Sequence, residues 1–176
     1  MFPRTLSRFA AIQGVCQHFY CPEKTLEVIQ KEFETHHFTP HGYRLFEDEE
    51  PMALDVDFFK HLMKGVQDNR GKLDVHIGAS LPMGWSLRKM EHGTHSIFLC
   101  AGFELLKDID TPKQVIFNEY LNAAHSFLLK KGPGFVNALL EKLCERLRKD
   151  TAQEKKNITQ EKKTLGDIMN ACEMKQ

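Results

Sequence analysis

Residues 96–106 read Ser96-Ile97-Phe98-Leu99-Cys100-Ala101-Gly102-Phe103-Glu104-Leu105-Leu106. After Ser96 the run to Phe103 is apolar on every side, with no polar stripe at helical spacing. A helix of that kind is buried, whereas a surface helix keeps a polar face. The spacing therefore predicts a central helix, the fifth in chain order, around which the others pack. Gly102 weakens a helix, so its place here points to close approach by a neighbour. Glu104 is the one charge in this segment. A buried carboxylate needs a partner, so Glu104 is expected either to pair or to mark where the helix emerges.

Working outward, apolar residues recur at three and four positions and strand signals are weak. A first helix is expected over 5–20, with Leu6, Phe9, Gln13 and Cys16 on one side and Ile12 and Phe19 beside it. Pro22 suits the first turn of a second helix over 22–35, which places Leu26, Ile29 and Phe33 together. The stretch 36–51, with Thr39-Pro40-His41-Gly42 and the acidic run Glu47 to Glu50, reads as a solvated loop. Asp55 is a candidate N-cap for a third helix to Asn69, with Phe58, Leu62 and Val66 inward and Phe59 and Met63 alongside. Asn69-Arg70-Gly71 is expected to stop it before a fourth helix over 72–81 carrying Leu73, Ile77 and Leu81. Pro82-Met83-Gly84-Trp85 reads as a turn.

Beyond the central segment, Thr111 can cap a sixth helix, with Pro112 at its first position and Gln114 completing the cap. Ile116, Tyr120, Ala123 and Phe127 form its inner stripe. Gly132-Pro133-Gly134 opens a seventh helix with Val136, Leu139, Leu140, Leu143 and Leu147 inward. The class expected is all-α with seven helices, residues 1–150 forming one domain. After Asp150 the composition turns to Lys, Glu, Gln, Asn and Thr, and 151–176 reads as a charged, flexible tail. Leu165, Ile168, Met169 and Cys172 could give that tail a weak apolar stripe.

The chain has 176 residues, 41% of them apolar, enough for one compact core. Lys plus Arg number 24 and Asp plus Glu number 24, so the formal charge is zero. A stand-alone nucleic-acid binder is usually strongly basic, because it neutralises phosphates. Any such binding here must come from a local patch or a surface shared with a partner. No apolar run approaches the roughly 20 residues of a membrane span. Met1 to Ala11 lacks the apolar core of a signal peptide. Five scattered cysteines, Cys16, Cys21, Cys100, Cys144 and Cys172, read as reduced thiols of a cytoplasmic protein. Cys16, His18, Cys21, His36, His37 and His41 invite a zinc reading, but no second tight pair completes four ligands. No metal or cofactor is expected. The motifs of a nucleophile elbow, a phosphate loop and a metal-ligand helix are missing, so no catalytic residue is assigned.

Three blocks carry a family resemblance. Ser7-Arg8-Phe9-Ala10-Ala11-Ile12-Gln13 is the first, and Asp57-Phe58-Phe59 with Leu62, Gly65 and Val66 the second. The third and most specific runs from Ala101-Gly102-Phe103-Glu104-Leu105-Leu106 through Ile109, Pro112, Val115, Ile116, Asn118 and Glu119. It continues into Phe135-Val136-Asn137-Ala138-Leu139-Leu140. Over about residues 4–148 the chain resembles the NusB family of transcription antitermination factors. The resemblance implies a domain of two helical sub-bundles. It also implies binding of single-stranded boxA RNA from ribosomal RNA leaders, together with the small-subunit ribosomal protein NusE. The assembly would join the RNA polymerase antitermination complex. Two other readings stand beside it: a helical protein-interaction module, and a domain related to the NusB-like part of RNA cytosine methyltransferases. A homodimer that masks the RNA surface is also open.

Candidate RNA-contacting residues follow. Arg4 and Arg8, spaced i, i+4 on the first helix, can face one stretch of phosphate backbone, or be two solvated arginines. Gln13 can read a base edge or cap the side of the bundle. Phe135, after the Gly-Pro-Gly turn, can stack on an unpaired base or staple the last helix. The resemblance places it on the RNA side. Lys130 and Lys131 can add phosphate contacts. Asn118, a poor helix former, is expected to make a side-chain hydrogen bond. Where the family pattern has an acidic–basic pair and an arginine, this chain has Thr94, His95 and Leu99, which implies weaker or relocated RNA contacts.

Overall fold

The computed structural model describes residues 2–38, 53–107, 111–128 and 134–148. Every regular element among them is helical. Helix α1 spans Pro3–Tyr20, with Pro3 in the first turn, where its missing N–H costs nothing. Helix α2 is Leu26–Glu32 and runs on into a π-helical turn, Phe33–His37. It starts later than the proline suggested: the Thr25 hydroxyl caps it by accepting from the Val28 N–H at 3.3 Å, and Pro22 stays in the preceding turn.

Helix α3 spans Val56–Ser80. Asp55 caps it as expected, accepting from the Phe58 N–H at 2.9 Å. Asp55→Ala should therefore lower stability by about 1 kcal/mol, read as a drop in urea midpoint at unchanged slope. The stop expected at Asn69–Gly71 does not occur: the third and fourth predicted helices are one helix. Leu73 and Ile77 are fully buried and continue the inward stripe of Leu62 and Val66. Their burial outweighs the weak local propensity of Asn69 and Gly71.

Helix α4, His92–Lys107, is the central helix. It packs against α1, α3 and α5, and its residues from Thr94 to Glu104 are all buried. Helix α5 is Lys113–Phe127; its cap position is Pro112, with no side-chain cap, so Thr111 does not take that role. The Pro112 carbonyl instead accepts from the Val115 and Ile116 amides. A last helix, α6, covers 134–148 and buries Val136, Leu139, Leu140, Leu143 and Leu147. The described residues thus hold six α-helices around one continuous core. None is long and apolar enough to cross a membrane. The segment 151–176 lies outside the described residues.

Two glycines set the spacing of the helices. A Cβ on Gly102 would come 3.2 Å from Leu73 of α3 and 3.5 Å from Leu143 of α6, so three helices converge there. A Cβ on Gly65 would sit 2.0 Å from the ring of Phe103. That ring lies flush on the backbone of α3.

Helices α1 and α3 run in the same direction. Arg4 near the start of α1 meets Asp55 at the start of α3, and Phe19 near the end of α1 lies under Arg70 of α3. Helix α4 runs the other way, with Glu104 against Arg8 and His92 stacked on Phe19.

Candidate nucleic-acid interface

Arg8 does not face solvent. Its Nε and one Nη donate to the two carboxylate oxygens of Glu104 at 2.8 and 2.7 Å, and its other Nη lies 3.5 Å from Glu119. The Tyr120 hydroxyl donates to Glu104 at 2.7 Å. Phe58 lies against the guanidinium at 5.0 Å. Burial alone would pull the Arg8 pKa down, but the bonds to Glu104 outweigh it and hold the group above its ordinary value. Burial, with the Glu104 charge beside it, pushes the Tyr120 phenol well above the ordinary range. The phosphate contact expected of Arg8 is therefore corrected: its guanidinium is held in a buried network joining α1, α4 and α5. The partner expected for Glu104 is Arg8. Each is a lone charge in an apolar segment, and that was the signal that could have paired them.

Arg4, one turn earlier, is exposed. Its side chain is 62% accessible, its Nε donates to Asp55 at 3.3 Å, and its guanidinium lies over Phe58 at 4.9 Å. Gln13 is half-buried further along α1. Lys130 and Lys131 lie outside the described residues. Asn118 is exposed on α5.

Phe135 heads α6 and is half-buried. The indole of Trp85 stacks on it at 4.9 Å and 21°, and Phe98 of the central helix meets it at 6.1 Å and 86°. Phe135 thus closes onto the core through Phe98 and belongs to an aromatic group that reaches the surface at Trp85. Trp85 was read only as part of a turn. That turn is made by Gly84 at φ +84°, a conformation that favours glycine. It closes with the Trp85 amide donating to the Pro82 carbonyl at 3.0 Å. The turn holds the indole out from the core.

A hollow beside Phe135 is lined by Ser80, Pro82, Ala138, Leu139 and Lys142. A second of about 390 Å³ adjoins it, sharing Ser80 and Lys142 and adding Glu145 and Arg146. Arg4 and this aromatic group sit at opposite ends of α3. Asp55 and Ser80 bound its 25 residues, roughly 37 Å at about 1.5 Å per residue. The structure does not bring Arg4 and Phe135 into one pocket.

A second aromatic edge lies where α1 ends and α4 begins. Tyr20 meets His92 at 5.0 Å, and His92 stacks on Phe19 at 4.8 Å. Beneath it His95 bonds Asp74 at 2.7 Å and Arg70 donates to Asp74 at 2.9 Å. Burial alone would raise the Asp74 carboxyl, but these two bonds outweigh it and hold it below its ordinary value. Thr94, His95 and Leu99, where the chain departs from the family pattern, are all buried. His18 is engaged elsewhere, its Nδ1 bonding the Lys24 carbonyl at 2.7 Å. Among the described residues no three His, Cys, Asp or Glu side chains gather as metal ligands would.

Comparison with known proteins gives a consistent picture. The NusB family pattern matches residues 5–145. The transcription antitermination protein NusB of Caulobacter vibrioides is 33% identical over 146 residues, covering 83% of this chain and 95% of that protein. The protein of the same name from Sinorhizobium fredii is 32% identical over 145 residues, covering 82% of this chain and 88% of that protein. Among solved structures, T. maritima NusB superposes with a TM-score of 0.67 at 21% identity, covering 82% of this chain and 92% of that one. That likeness speaks for the fold.

Proposed function

The chain belongs to the NusB family, and from that premise we propose that it binds boxA-type single-stranded RNA together with NusE, as part of an RNA polymerase antitermination complex in the cytoplasm. The relatives are transcription antitermination proteins, a non-catalytic family, and the chain is accordingly a binding protein and not an enzyme. The match covers 95% and 88% of two such relatives, which favours a NusB protein over a domain shared with RNA methyltransferases.

The observation that carries the RNA half is the half-buried Phe135 in a surface aromatic group, beside a hollow lined by Lys142. Aromatic rings next to cations suit unpaired bases and their phosphates. Arg4, Gln13, Lys130, Lys131 and Phe135 are the proposed contacts, with Arg4 reaching a part of the strand distant from Phe135. With zero net charge the chain supplies few phosphate contacts alone, so the partner is expected to contribute much of the surface.

The test is a titration of labelled boxA RNA, with and without NusE, over a range of salt. Binding should tighten with NusE and weaken as salt rises, with a shallow log–log slope of about 0.7 per phosphate neutralised. Equal, weak binding of boxA and scrambled RNA in the presence of NusE would overturn the proposal. Sedimentation of the free protein in the same buffer tests for a homodimer that hides the surface.

A further inference from the structure

We infer that Trp85 supplies the outer face of a nucleobase-stacking site, with Phe135 as its backing and Lys142 at its edge. The inference rests on the RNA-binding reading above and assigns the stacking contact to a different side chain.

Phe135 is engaged by rings on two sides, Trp85 at 4.9 Å and Phe98 at 6.1 Å. An unpaired base that approaches from solvent therefore meets the indole first. Trp85 is 57% exposed although Phe135 covers one of its faces, so the opposite face is open. Met83, in the same turn, is fully exposed. Two large apolar side chains held outward by one tight turn, rimmed by polar residues, mark a contact surface.

Charge selects the occupant. From Pro82 to Lys89 the chain carries Arg88 and Lys89 and no acid. The hollow beside Phe135 adds Lys142. This is a local cationic excess in a chain whose total charge is zero. An aromatic face bordered by cations takes a base on the ring and its phosphate on the ammonium or guanidinium.

Trp85 is the sole tryptophan of the chain, so the indole emission of the unmodified protein reports on this site. The full chain is titrated with the boxA oligoribonucleotide, reading RNA anisotropy and indole emission in parallel. Emission should quench along the same isotherm as anisotropy. Trp85→Leu, which keeps an apolar cover but removes the ring, should weaken binding about tenfold, whereas Trp85→Phe should stay within about threefold of wild type. Circular dichroism of each variant checks its fold, and the quenching in the wild-type protein needs no variant. RNA binding with unchanged emission and wild-type affinity for Trp85→Leu overturns the inference and leaves the RNA reading standing. Quenching by the ribosomal protein partner alone, with none by RNA, assigns the indole to a protein contact and also overturns it. No RNA binding with or without that partner overturns both readings.

Discussion

Arg8→Ala is expected to destabilise the protein by about 3–5 kcal/mol, the range for removing one partner of a buried ion pair. The alanine leaves Glu104, wholly buried, with the Tyr120 hydroxyl as its remaining hydrogen-bond donor. It also leaves Glu119 without the cation 3.5 Å away. The loss comes from stranding a carboxylate, and the net strength of the pair is a separate quantity. The double variant Arg8→Met with Glu104→Leu should therefore recover most of it, since apolar residues of similar volume often replace such pairs at little cost. Urea unfolding of the two single variants and the double closes the cycle. A loss below about 1 kcal/mol for Arg8→Ala would show that water or rearrangement solvates Glu104, and would count against a sealed network. RNA affinity in these variants should follow the folded fraction, because the Arg8 guanidinium is almost wholly buried against Glu104.

Gly65→Ala should cost about 1–3 kcal/mol, although alanine is by itself the better helix former by about 1 kcal/mol. The added methyl would lie 2.0 Å from the Phe103 ring, which is almost fully buried and has to leave its place. Phe103→Leu in the Gly65→Ala background should restore part of the loss, a coupling that unrelated sites do not show. Gly71 provides the control on the same helix. It is exposed, with nothing within 4 Å of an added Cβ, so Gly71→Ala should stabilise by about 0.5–1 kcal/mol. Denaturant midpoints of the three proteins decide the matter. A neutral Gly65→Ala would mean that α3 and α4 can part at little cost.

The contrast between those glycines also shows how much of the fold was legible. The run from Ser96 to Phe103 could only be a buried helix, and the inward stripes of α3, α5 and α6 fell where helical spacing placed them. The join within α3 was not legible. Local propensity at Asn69 and Gly71 argues for a stop, and only the burial of Leu73 and Ile77 against other helices overrides it. The start of α2 was misplaced for a related reason: Pro22 fits a first turn, but the Thr25 hydroxyl makes the cap.

The surface was harder to read. Arg4 and Arg8 share a helix face by spacing, yet α5 covers one and not the other, and no periodicity within α1 reveals that. Trp85 was passed over because Pro82 and Gly84 announced a turn, and turns are read as punctuation. A lone tryptophan next to a methionine in such a turn was the available signal. Thr94, His95 and Leu99 are all buried, which spacing along α4 alone did not show for Thr94 and His95.

The bond between Arg8 and Glu104 joins residues 96 positions apart. At about 5–20 residues per second, synthesis takes roughly 5–20 s to reach Glu104 after Arg8 has been added. Through that interval α1 has no Glu104 for its Arg8 to pair with. It cannot close onto a core whose central helix has not yet been made. The native latch of α1 is therefore supplied only when the carboxylate of α4 has been made.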